Sequence, residues 1–275
     1  MEELLSHPAV QGGVAPFIAA IIIAGLFMKV NVFAGLAIVA GFATTIILTT
    51  GISFEPLSST RKITLIVFLI PILAIILQLL RKDLTLVINV FYVLVIAALL
   101  WILWPVLKNK PMSESWLPVL SYIIYAMWMV KTFLRFSEIP ALSAGIAATA
   151  TGTVIGGAAL IGASALLGQM GLALAAAGGA FLLIQLLIRS ENEAGYTFTV
   201  TTAFIAALVL PAAIEYAKVP WLVLPLIAIV PVFAFYPFED ETRVWKNTIS
   251  VFAVMALPIA LVFYLVTQHA GEMMF

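Results

Sequence analysis

The chain has 275 residues, of which 64% are hydrophobic and 9% charged, against about 25% charge in soluble domains. A mean hydropathy of +1.20 excludes a water-solvated surface, and a formal net charge of zero offers no basic patch for nucleic acid. The absence of cysteine removes disulfides, thiolate nucleophiles and cysteine-ligated metal clusters as function classes.

The apolar runs are too long for the ~10-residue alternating strands of an outer-membrane barrel, so the reading is an all-α integral membrane protein. About ten transmembrane helices are expected over 10–28, 31–50, 63–80, 85–107, 115–134, 140–168, 170–188, 196–216, 219–236 and 247–267. Each is close to the ~20 residues that cross a ~30 Å hydrocarbon core. Connections such as 52–62, 108–115 and 237–246 are short, making 1–275 a single polytopic transmembrane domain. The acidic start, MEELLSHPAV, lacks the basic region of a cleaved signal, so the first helix is expected to persist.

In chain order, the second segment carries Gly41, Thr45 and Thr49 in helical register. In the following loop Ser58 is placed to cap the third helix, and Arg61 to pair with Glu55. Thr85, Asn89 and Tyr92 share a face of the fourth segment, and Ser121, Tyr125, Trp128, Thr132 and Arg135 a face of the fifth. Lys131 and Arg135 lie near that helix's end, where long basic side chains snorkel to headgroups. Segments six and seven are built from small residues. Gly152 and Gly156 form a GxxxG pair, Ala158 and Gly162 a small-xxx-small pair, and Gly171, Ala175 and Gly179 continue the pattern. Such faces let backbones approach closely. From Pro140 to Gly168 is about 42 Å of helix, well above the core thickness. Tilt absorbs the excess, or a break at Gly156-Gly157 does so where backbone lines a cavity. Glu215, in the last turn of segment eight, has Lys218 as the nearest salt-bridge partner in sequence. Prolines fall inside several segments. Pro71, Pro211 and Pro258 are the candidate hinges or kinks, with Pro225 and Pro231 in segment nine.

An internal repeat is a further expectation. GLAIVAGF at 35–42 resembles GLALAAAG at 171–178, LIP at 69–71 matches VLP at 209–211, and Trp104-Pro105 matches Tyr236-Pro237. Two five-helix inverted repeats, 10–134 and 140–267, follow from these correspondences. In size, helix count and repeat the chain resembles small ten-helix carriers of the drug/metabolite type, as architecture and without a motif match. Lysine and arginine number five on the N-terminal side and eight on the other, which favours both termini outside.

His7 and His269 lie at the margins, and no nucleotide loop, HExxH or paired-aspartate helix is present. The chain is therefore read as a non-enzyme without cofactor or metal. The leading expectation is a carrier or facilitator for a small, mostly uncharged or amphipathic solute. Its largely uncharged polar pathway would be built from Asn89, Ser121, Tyr125, Thr153, Gly156, Gly157 and Gln185. The alternative is an accessory or scaffolding subunit whose small-residue faces meet a membrane-protein partner or a second copy. Either way the partner is a lipid bilayer, with the bacterial inner membrane as the expected location.

Overall fold

The computed structural model describes residues 7–27, 30–52, 55–80, 82–188, 192–235 and 244–272. It is almost entirely helical, 87%, with ten helices and no strand among the described residues. We number them α1 (Val10–Leu26), α2 (Leu36–Thr49), α3 (Ser59–Leu79), α4 (Leu84–Leu107), α5 (Met112–Arg135), α6 (Ala141–Ile161), α7 (Ala165–Ile188), α8 (Gly195–Tyr216), α9 (Val223–Phe235) and α10 (Val244–Glu272). Seven of them, α3 to α8 and α10, are long and apolar enough to cross a membrane; α1, α2 and α9 are shorter.

Twenty apolar residues need not form a twenty-residue helix, and this separates seven long helices from ten apolar runs. After the short turn Asn31–Ala34 the chain restarts at Leu36, because Gly35 sits against the backbone of Thr197 and Phe198. That leaves 14 residues for α2. The ninth run spends its first residues on a turn in which Lys218 has φ 54°, then ends as a 3-10 helix over Val230–Phe235. Tyr236 and Pro237, one half of a repeat correspondence, lie outside the described residues, as does most of the 237–246 loop.

The expected long sixth segment is divided, but not at Gly156-Gly157. Helix α6 runs unbroken through both glycines and stops at Ile161. A turn at 162–164, with Ala163 at φ 72°, then reverses the chain into α7. Gly156 is needed for close approach rather than for a bend: an added Cβ would lie 2.6 Å from Leu172 N and 2.9 Å from Gly168 O. Gly152 meets the Ala175 backbone and Gly171 meets Gly156 in the same seam. In lipid, where apolar surface gains nothing by leaving its surroundings, van der Waals contact of this kind is what holds helices together.

Chain ends gather at two levels. At one, Gln11 at the start of α1 donates to Leu48 O near the end of α2 (3.0 Å), and Gln169 at the start of α7 donates to Gln11 Oε1 (3.1 Å). Ser59, opening α3, meets Tyr216, closing α8, at 3.0 Å. Neighbouring helices therefore alternate in direction. Helix α8 is the axis, packed by α2, α3, α4, α5, α6 and α7. Its sequence, GYTFTVTTAFIAALVLPAAIEY, has no charge before Glu215 and no polar face to turn outward, which suits enclosure on all sides. Two of its threonines settle their hydroxyls within the helix, Thr199 on Gly195 O (3.0 Å) and Thr201 on Thr197 O (2.7 Å).

Prolines leave carbonyls that other helices answer. Pro105, inside α4, has no N–H for Trp101 O. The Lys62 ammonium of α3 donates to that oxygen at 2.9 Å and lies 5.2 Å from the Trp101 ring centroid. Ile102 O next to it accepts from Ser59 Oγ at 2.9 Å. In the 3-10 stretch of α9, Pro231 cannot serve Ala228 O, and the Trp128 indole N–H of α5 does so at 2.9 Å.

Replacing Gly156 with Val should force α6 off α7. We expect a loss of about 1–3 kcal/mol in stability, seen as a lower thermal midpoint in size-exclusion thermal challenge. Gly25→Ala, whose added Cβ meets nothing within 4 Å, should leave that midpoint unchanged or raised.

Candidate functional site

Among the described residues a cleft lies on the side of the bundle, between α5 and α9. It has a volume of about 450 Å³ and is lined by Ser121, Ile124, Tyr125 and Trp128 of α5 and by Trp221, Leu224, Pro225, Ala228 and Ile229. The second set follows i, i+3, i+4, i+7, i+8 spacing, one face of a helix and its preceding turn. Three small or compact side chains, Ser121, Pro225 and Ala228, leave the gap that the two tryptophans and Ile124 border. The Trp128–Ala228 hydrogen bond ties the two walls together.

The Ser121 and Tyr125 hydroxyls in this cleft are already engaged. Ser121 Oγ donates to Leu117 O in its own helix (2.9 Å), and Tyr125, 3% exposed, turns its hydroxyl inward to Ala206 O at 3.3 Å. The surface left to a ligand is apolar. A second lobe of about 380 Å³ shares Ser121, Trp221 and Leu224 with the first, and adds Trp116, Leu117, Pro118 and Tyr122.

Tyr122 leads from that lobe to a carboxylate. Its hydroxyl donates to Glu215 Oε1 at 2.9 Å, while Lys110 Nζ meets Glu215 Oε2 at 2.7 Å. The Glu215 side chain is 7% exposed and that of Lys110 43%, so a shielded acid is covered by a half-open base. The expected partner Lys218 is replaced by Lys110. Lys218 lies past the helix end in the left-handed region, whereas the α4–α5 loop carries Lys110 over the end of α8. The expected Ser58 cap is present, with its hydroxyl accepting from Arg61 N at 3.4 Å. The Arg61 guanidinium donates to Pro56 O at 2.8 Å.

The residues assigned to a polar pathway do not converge. Ser121 and Tyr125 share the lateral cleft. Asn89 is exposed on the outside of α4. Gly156 lies in the α6–α7 seam, and Gly157 packs against Phe263 of α10. Thr153 is half-buried with its hydroxyl on Thr149 O (2.8 Å). Gln185 is buried in α7, where its Oε1 has no hydrogen-bond partner. The fifth-segment stripe also divides: Thr132 is buried and Arg135 exposed, away from the cleft. Pro71, Pro211 and Pro258 all sit inside continuous helices.

Sequence reasoning missed Trp221, Leu224, Lys110 and Tyr122. The spacing of Trp221, Leu224, Pro225, Ala228 and Ile229 places the first two on one helix face, though not in a cleft. The meeting of Lys110 and Tyr122 with Glu215 spans 105 and 93 residues and had none. Among the described residues no group of three or more His, Cys, Asp or Glu could hold a metal. No protein-family model matches the chain, and neither a curated protein nor a solved structure matches it.

Tyr122→Phe keeps the ring in the second lobe and removes the hydrogen bond to Glu215. It should destabilise the fold by about 1.5–3 kcal/mol, the usual range for a bond to a charged group, measured by thermal unfolding in detergent.

Proposed function

We propose that the chain is a carrier or facilitator for an amphipathic small molecule that enters sideways from the bilayer into the α5–α9 cleft. The observation that carries this reading is the position of the cleft. It is apolar, lies on the flank of the bundle, and adjoins a second lobe one of whose walls, Tyr122, hydrogen-bonds the shielded carboxylate of Glu215. The two lobes, about 450 and 380 Å³, each fall within the ~300–1,000 Å³ of small-molecule sites. Trp116 and Trp221, both exposed at this end, suit the headgroup level of a bilayer.

In this proposal all ten helices lie in the membrane, the seven long ones crossing it and α1, α2 and α9 completing the alternation. The bilayer is one that accepts helical proteins, the bacterial inner membrane being our assignment. The chain acts on its solute without chemistry: both histidines lie near the chain termini, away from the cleft residues. Alternation by exchange of two inverted halves has little support, because α8 is enclosed by six helices while its counterpart α3 is half exposed along its length. Movement of α9 relative to α5 is the simpler opening, since Trp128 and Ala228 share one hydrogen bond across it.

A second reading, an accessory subunit, is favoured by the packed α6–α7–α8 interior and by exposed Asn89 on the lipid-facing side of α4. Its contact would not be the expected small-residue faces, since Gly152 and Gly156 meet Gly171 across α6–α7. Under it a partner should co-elute in mild detergent, and Asn89→Leu should release that partner without unfolding the chain.

Ser121→Trp separates the two. Ser121 borders both lobes, and its hydroxyl is used only within α5. Filling that waist should clash with bound solute by about 1–3 kcal/mol, or ~tenfold in affinity. In proteoliposomes challenged with amphipathic solutes, flux should fall about as far while the folded fraction is kept. Equal flux in the variant, or none above empty liposomes in either protein, would refute the carrier.

A further inference from the structure

We infer that the cleft selects amphiphiles with a protonated amine, whose ammonium takes the place of Lys110 on Glu215. This inference rests on the cleft being an amphiphile site and names the head group that site prefers.

An asymmetry of exposure decides the sign of the charge. Glu215 Oε2 is held by Lys110 at 2.7 Å, with 7% of the acid's side chain exposed and 43% of the base's. Tyr122, which walls the second lobe, holds Oε1 at 2.9 Å. An incoming ammonium can replace Lys110 on Oε2 and restore the charge-assisted bond. The displaced lysine, already half in water, is then solvated, while the shielded carboxylate keeps a cation. An incoming anion has to draw Lys110 away instead. That leaves the shielded carboxylate without a cation, which is the costly outcome for a buried pair. An uncharged hydroxyl can donate to Oε2 but brings no charge to replace the lysine's. The exchange therefore runs in favour of cations, and the loop position of Lys110 lets it move without disturbing a helix.

A primary or secondary amine fits better than a quaternary ammonium, because Oε2 loses an N–H donor when Lys110 leaves and needs another. The tail then lies in the apolar lobes beneath, against Trp116, Trp221 and Ile124. Exposed tryptophans bordering the path add attraction for the passing cation.

The test uses the full chain in phosphatidylcholine nanodiscs, titrated with bromine-tipped undecylamine, undecanol and undecanoate. Bromine quenches nearby indoles, so Trp116, Trp128 and Trp221 report occupancy. Wild type should prefer the amine over the alcohol by about tenfold or more, as expected for one hydrogen bond to a charged group. Undecanoate should bind no better than the alcohol. Glu215→Gln should bring amine and alcohol level. Lys110→Ala, lacking the competitor, should tighten the amine, and Lys110→Arg, holding the acid bidentately, should weaken it. The opposed effects of those two variants are not expected of a merely structural pair, and they stand if Glu215→Gln fails to fold. Equal binding of amine and alcohol in wild type, or an amine preference that survives in Glu215→Gln, overturns the head-group inference and leaves the cleft intact. Absence of quenching by all three probes, or quenching unmoved by Ser121→Trp, overturns the cleft itself and this inference with it.

Discussion

In hydrocarbon no water is at hand, so every backbone carbonyl released by a proline must be answered by another part of the protein. Two prolines of this bundle, Pro105 and Pro231, show how it is met. Pro105 releases Trp101 O, and the lysine that answers it, Lys62, is buried at 8% exposure near the start of α3. A cation is tolerable there because it faces a carbonyl and the Trp101 ring rather than lipid. With Ser59 and Tyr216 converging on Ile102 O, the ends of α3, α4 and α8 are tied at one level. Pro231 makes the same demand on the other side, and Trp128 meets it. Since an indole is long, α5 and α9 are held at a distance that smaller side chains do not fill. The lateral cleft is the consequence.

The small-residue pair α6–α7 answers a different need. Helix α8 is enclosed on all sides, and enclosing it requires neighbours that pack closely against one another. Gly152, Gly156 and Gly171 allow that by removing the side chains that would separate two backbones. Gly157 extends it outward, receiving the Phe263 ring of α10. Glycine thus serves contact on two faces of α6, and the chain reverses only at 162–164, where the helices have run their length.

Composition and run length were enough to show helices in a membrane, since charge at 9% leaves no alternative solvent. Helix ends were less legible. Apolar turns and 3-10 stretches carry the same hydropathy as helix, so α2 and α9 read longer than they are. The Ser58 cap was legible because capping is a local bond across three residues. The Glu215 partner was not, since Lys218 is near in sequence but turned away by its backbone, while Lys110 arrives from 105 residues off. Ser121 and Tyr125 are legible through helical spacing on α5; the opposite wall, from Trp221 to Ile229, follows the same rule but is apolar, so its spacing does not set it apart from ordinary packing or lipid-facing surface.

Polar stripes suit a path through the middle of a bundle, as for a solute that must be shielded from lipid throughout. Here the middle is α8, whose neighbours close on it and two of whose four threonines, Thr199 and Thr201, spend their hydroxyls on their own helix. A solute that is itself lipid-soluble over most of its length needs no such path. It needs a place where its tail stays in an apolar cleft while its head meets a fixed charge. In the proposed function the α5–α9 cleft supplies the first and Glu215, which Tyr122 links to the second lobe, supplies the second. The selectivity of such a site would lie in the head group, because the tail's free energy changes little between lipid and cleft. Discrimination would then rest on one carboxylate and on how readily Lys110 leaves it.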